Sequence, residues 1–107
     1  MSLREYASAG EARVARRLVR EGLARGFAIS VRQLIDSDSE WVVSRSKNLR
    51  EICDALAAAD VDVLYFQRQR ESLWFALIWG NDADGSELIA DHENSAEADQ
   101  IYTAVCD

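Results

Sequence analysis

Proline is absent from this 107-residue chain, histidine and methionine occur once each, and cysteine only twice. With no proline-rich or low-complexity stretch to act as a linker, one domain spanning residues 1–107 is expected. Cys53 and Cys106 lack C-x-x-C spacing, which removes the common redox and zinc motifs. Each falls at an apolar helical position and reads as a packed thiol. A disulfide between them stays open, but nothing else points to an oxidising compartment, so the cytoplasm is the expected location. Long hydrophobic runs are missing as well. The longest, Leu73 to Trp79, falls far short of the roughly 20 residues that a bilayer-crossing helix needs. No charged-then-apolar leader precedes a cleavage site, so neither secretion nor membrane insertion is expected.

Glycine is scarce too. Gly10, Gly22, Gly26, Gly80 and Gly85 never take the spacing of a phosphate-cradling loop, so nucleotide-dependent catalysis has no local support and no cofactor is implied. His92 stands between Asp91 and Glu93 with no Gly-x-Ser-x-Gly elbow in the chain, and it reads as a surface or capping residue rather than a catalytic base. A hydrolase built around it would need buried carboxylates that the sequence does not single out. Asn81, Asp82, Asp84 and Asp91 put oxygen donors before and after Gly85 as a calcium loop would. The match fails at its ends, where Gly80 and Asp91 would occupy the first and twelfth positions, and a hairpin turn with at most weak cation binding is the better reading.

Charge is present but unevenly placed. Formal charge is −7, yet residues 1 to 25 carry six arginines against three glutamates, while residues 80 to 107 carry eight carboxylates and no lysine or arginine. The acidic total argues against general affinity for nucleic acid, which draws its strength from cations that displace phosphate counterions.

Apolar residues make up 49% of the chain, and their periodicity gives the elements. From about Glu5 to Arg25, Ala7, Val14, Ala15, Leu18, Val19 and Gly22 share one helical side. Arg13, Arg16, Arg17 and Arg20 share the opposite one, and Gly26 closes the helix. The Arg ridge is a candidate contact for phosphate or an acidic partner, although carboxylates of the last helix could neutralise it. Phe27 to Ile35 alternates with a period of two, Asp36 to Ser39 is turn chemistry, and Trp41 to Arg45 returns as a second strand. Asn48 and Glu51 form a cap signature for a helix with Leu49, Ile52, Cys53 and Leu56 on its stripe. Ala57, Ala58 and Ala59 would let that helix lie close to a sheet. Val61 to Gln67 and Leu73 to Trp79 read as a hairpin turning at Arg68 to Glu71. Ser86 to Asp91 reads as a shorter strand, and Asn94 with Glu97 caps a last helix with Ala98, Ile101, Tyr102 and Val105 inward.

The expected architecture is therefore α+β, a mostly antiparallel five-stranded sheet with three helices in the order α-β-β-α-β-β-β-α. The strand around Trp74 is apolar on both sides, so it should be interior and covered on both faces. If all helices share one face, Trp74 and Ile78 stand on the other and imply a partner, with a homodimer the simplest solution.

The pieces Gly26-Phe27-Ala28-Ile29-Ser30-Val31, Ser46 through Leu56, Trp79-Gly80-Asn81-Asp82 and Leu88-Ile89-Ala90-Asp91 resemble a group of small uncharacterised bacterial and phage-encoded proteins. The resemblance implies a bacterial or phage setting and a self-contained accessory protein, and it transfers no catalytic residue. Asp36 to Ser39 departs from the group's shorter Asp-Gly type of turn. The expected function is a non-enzymatic protein-interaction module that contacts itself or another protein through Trp74, Ile78 or its acidic C-terminal third. Two alternatives follow from charge alone: a nucleic-acid-associated regulator acting through the Arg ridge, and a phosphate-mimicking inhibitor acting through the carboxylates.

Overall fold

The computed structural model describes residues 7–35, 38–80 and 84–106. Helix α1 (Ala9–Ala24) leads into strands β1 (Ala28–Ile35) and β2 (Asp38–Ser46), then α2 (Leu49–Asp54), β3 (Val61–Arg68), β4 (Glu71–Ile78), β5 (Ile89–His92) and α3 (Ala96–Cys106). This is the expected α+β order. The strands form one sheet, β2-β1-β3-β4-β5, in which every neighbouring pair is antiparallel.

Helix α1 starts where Ser8 and Glu11 form a reciprocal cap. The Glu11 N–H donates to Ser8 Oγ at 3.1 Å and the Ser8 N–H to Glu11 Oε1 at 2.9 Å. The Glu11 carboxylate is wholly buried and also accepts from the Gly80 N–H, tying the helix start to the end of β4. At the other end Gly26, at φ 87°, takes the left-handed conformation that the turn into β1 requires.

The layering follows from parity. On β1, β3 and β4 the residues Ile29, Val31, Leu64, Phe66, Phe75 and Leu77 point to one side, and all are fully buried. They share one cluster with Leu18 and Val19 of α1, Ile52 of α2, and Ile101 and Val105 of α3. All three helices therefore cover a single face of the sheet. The alternate residues of the same strands, Val63, Tyr65, Trp74 and Ile78 among them, lie outside this cluster and are half-buried.

Arg68 joins three elements on the helix side. Its guanidinium forms a two-pronged contact with Glu97 of α3 at 2.7 and 3.4 Å and bonds the Arg25 carbonyl at the end of α1 at 2.7 Å. It also lies 4.1 Å from the Phe27 ring centre. The carboxylates of Glu97 and Glu71 hold its proton more tightly than usual. Arg17 supplies the corresponding positive end for α3, donating to the Ala104 carbonyl at 3.2 Å, since the last turn of α3 has no basic residue of its own.

Several local expectations are corrected. Asp38 and Ser39 belong to β2, paired with Ile35 and Leu34, rather than to the turn. Helix α2 ends at Asp54, and Ala57 sits at φ 64° in a connecting turn instead of extending the helix along the sheet. Strands β3 and β4 run on to Arg68 and Glu71, so the hairpin turns on Gln69 and Arg70 alone. Ser86 to Leu88 are not strand, and β5 begins only at Ile89. Ser95, not Asn94, caps α3, its Oγ accepting from the Ala98 N–H at 3.2 Å and its carbonyl from the Asp99 N–H at 3.0 Å. Most consequentially, β4 is interior but helices cover only one of its faces, as the sheet turns its other side away from all three. The start of the expected first helix, Glu5 and Tyr6, and the residues Asp36, Ser37, Asn81 and Asp82 lie outside the described residues.

Candidate functional site

Two surfaces gather the residues that the sequence singles out. The first is the helix-free face of the sheet. Tyr65 and Trp74 are direct cross-strand partners there, and Trp41 leans from β2 across β1 to bring its ring 5.1 Å from Tyr65. The register partner of Trp41 on β1 is Arg32, and the small Ser30, two residues away on the same side and paired with Tyr65, leaves the ring room to cross. The result is a row of three aromatic rings crossing four strands.

Trp41 is the most exposed of the large apolar side chains described, at 55%, and the others, Ile35 at 46% and Val42 at 38%, flank the same hairpin. The Arg32 guanidinium lies 5.8 Å from the Trp41 ring centre and donates to Ser39 Oγ at 2.6 Å, which holds it flat on the face. Beside Trp41 opens a shallow groove of about 350 Å³ walled by Ser30, Ser44, Arg45 and Gln67. Its floor is fixed, since Ser30 Oγ donates to Gln67 Oε1 at 2.9 Å and accepts from the Arg45 N–H at 2.9 Å. Among the described strand residues on this face, the charged ones are Arg32, Arg45 at the irregular end of β2 and, on β5, Asp91.

The second surface is the outer side of α1, where Arg13, Arg16, Arg17 and Arg20 are all exposed. Among the described residues, neither Glu97 nor Asp99 of the last helix neutralises it. Glu97 pairs with Arg68 and Arg25, and Asp99 lies 3.9 Å from His92. Arg13 and Arg17 border the 84–86 turn and the end of α3, whereas Arg16 and Arg20 lie close enough to Cys53 of α2 to act on its thiol. Burial raises that thiol's pKa and the two arginines oppose the rise.

The titratable groups do not assemble a reacting centre among the described residues. His92 is half-buried between Phe75 and Tyr102, with ring centres 5.9 and 5.0 Å away. Its Nδ1 lies 2.9 Å from the Glu93 carbonyl oxygen, an acceptor only, so Nδ1 carries the hydrogen. Neither Cys53 nor Cys106 forms a disulfide. No group of three or more His, Cys, Asp or Glu is placed to hold a metal ion among the described residues, and Asp84 and Asp91 do not converge into one. Asp62, which sequence pattern passes over as one polar residue in a strand, is wholly buried. Its Oδ2 accepts from the Ala57 N–H and from Trp79 Nε1, each at 2.8 Å, and its Oδ1 has no partner among the described residues. This makes Asp62 a clamp on the α2–β3 connection.

No helix among the described residues is long and apolar enough to cross a membrane. Compared with protein-family models, with curated proteins and with solved structures, the chain finds no match. Its function is therefore argued from these two surfaces.

Proposed function

We propose that this chain is a non-enzymatic interaction module that pairs with a second copy of itself through the helix-free face of its sheet. The observation that carries this is the aromatic row of Trp41, Tyr65 and Trp74, set on a face whose charged strand residues are Arg32, Arg45 and Asp91. A chain of formal charge −7 carries a net repulsion against its own copies. The sheet face is where that repulsion is weakest and the apolar gain largest. Five strands spaced about 4.8 Å apart and about seven residues long give a face of roughly 500 Å² in projection. Its contoured area approaches the roughly 800 Å² that each partner contributes to a stable complex. Arg32 and Asp91 stand toward opposite sides of the sheet, so a two-fold axis through the face can bring each near its counterpart's opposite charge. With neither cysteine in a disulfide, a reducing cytoplasm suits this reading, and the resemblance noted above suits an accessory protein of a bacterial or phage host.

Light scattering on the purified chain should give twice the chain mass at tens of micromolar. Trp74→Glu buries an uncompensated carboxylate in the middle of the pairing face, at a cost of about 3 kcal/mol or more, so the dimer should weaken at least a hundredfold. Trp74 lies outside the core cluster, so the variant's circular dichroism and melting should stay close to those of the parent. A parent chain that is strictly monomeric at such concentrations, or a Trp74→Glu variant that dimerises equally well, would overturn the reading.

A further inference from the structure

The arginine ridge of α1 lies on the opposite side of the molecule from the sheet face, since α1 turns its apolar stripe to the sheet and its arginines outward. Among the described residues the side chains of Arg13, Arg16 and Arg20 make no hydrogen bond or ion pair, and the Arg17 side chain reaches only the Ala104 carbonyl. Glu21 and Glu97 hold Arg25, and Glu97 also holds Arg68, while Asp84 lies beside Arg13 and Arg17 and Asp54 lies near Arg16 and Arg20. Four guanidinium groups thus stand together on one helix of an acidic protein without an ion pair among the described residues. Keeping like charges side by side without an anion is unfavourable, and an anionic partner relieves it.

We infer that this ridge binds the phosphate backbone of duplex nucleic acid without reading its sequence. Magnitudes choose between this partner and an acidic protein segment. An exposed arginine–carboxylate pair strengthens association about fivefold at best, and four such pairs reach only millimolar affinity. A duplex instead surrenders condensed counterions at each contact, which gives sequence-independent binding in the range of about 10⁻⁴ to 10⁻⁶ M. Arg13 to Arg20 span about 10 Å of helix, and a duplex sets roughly six phosphate charges along that length. Guanidinium forks suit those oxygens. Single strands are the poorer fit, because no aromatic ring stands among the four arginines for a base to stack on. The net charge of −7, with Asp84 beside Arg13 and Arg17, holds the affinity low and confines it to low salt.

Fluorescence anisotropy with a labelled duplex of about 20 base pairs and mixed sequence, titrated from about 20 to 200 mM salt, reads the inference directly. Four contacts predict a log–log slope near −3.6, which is about a hundredfold loss between 50 and 200 mM. The triple variant Arg13→Ala, Arg16→Ala, Arg20→Ala spares the Arg17 cap on α3. It should bring the slope to about −1 while keeping the parent's circular dichroism. Arg70→Ala, which removes an exposed cation in the β3–β4 turn, should leave binding within about twofold. The inference is overturned by an absence of binding at the lowest salt, by a triple variant that binds as well as the parent, or by an equal loss in Arg70→Ala. It is also overturned if polyglutamate displaces the duplex at equal charge concentration, which would assign the ridge to an acidic protein segment. Because α1 is remote from the sheet face, any of these leaves the dimer measurement unaffected.

Discussion

Replacing Gly22 with alanine is expected to destabilise the fold by about 2–3 kcal/mol, although the same exchange at an exposed helical position would add about 1 kcal/mol. Gly22 lies within α1 where the helix crosses the sheet. A β-carbon added there would fall 2.4 Å from Phe66 Cε2 and 2.8 Å from Cδ2 and Cζ. Phe66 has nowhere to retreat, being fully buried with Phe27 and Phe75 at ring-centre distances of 5.7 and 4.9 Å. Either α1 lifts from β3 or the ring leaves its rotamer, and both cost more than the helix propensity returns. For a domain of this size the midpoint of thermal unfolding should fall by roughly 10 °C or more. Phe66→Leu alone should also destabilise, by leaving a void, yet combined with Gly22→Ala it should cost less than the sum of the two. A Gly22→Ala protein that melts at or above the parent temperature would show that the helix does not approach the sheet this closely.

How much of this was legible in the sequence depends on whether the signal is local. The alternation of Leu73 to Trp79 and the stripe of α1 announce their elements, because burial on one side leaves a period in the chain itself. The alternation also marks Trp74 and Ile78 as a second apolar side, but which side the helices take is decided by topology, and nothing within the strand records it. Trp41 shows the same limit: its reach to Tyr65 depends on register shifts near Val31 and Arg32 and on the small Ser30 of the neighbouring strand. Arg68 reads as a turn residue since its partners Glu97 and the Arg25 carbonyl are 29 and 43 residues away. The cap on α3 falls on Ser95 rather than Asn94, a one-residue difference between two adjacent cap-forming side chains that pattern alone does not separate. The arginine ridge was visible as a pattern, but whether it stays unneutralised turns on where Glu97 and Asp99 point, which only the packed helices determine.

Asp62→Ala should cost about 3 kcal/mol at neutral pH, because it strands two buried donors, the Ala57 N–H and Trp79 Nε1, that now share one carboxylate oxygen. Asp62→Asn isolates the charge from the hydrogen bonds. Burial holds the Asp62 carboxyl above its ordinary pKa, and the two N–H donors oppose that shift without cancelling it. Below the unfolded value of about 3.9 the group is protonated in both states and costs nothing. As pH rises, the unfolded chain ionises first, so the stability contributed by Asp62 is full at acid pH and is lost as pH passes through the raised native value. Asparagine accepts the same two bonds through its carbonyl oxygen and does not titrate. Urea unfolding of both proteins between about pH 4 and pH 7 should therefore show the parent's advantage over Asp62→Asn shrinking as pH rises. The other carboxylates titrate in both proteins and drop out of the difference. An advantage that stays flat or grows toward neutral pH would mean that Asp62 ionises as readily folded as unfolded. Its unpartnered oxygen would then have to be reached by water, and the turn at Ala57 would be held by a solvated ion rather than by a buried clamp.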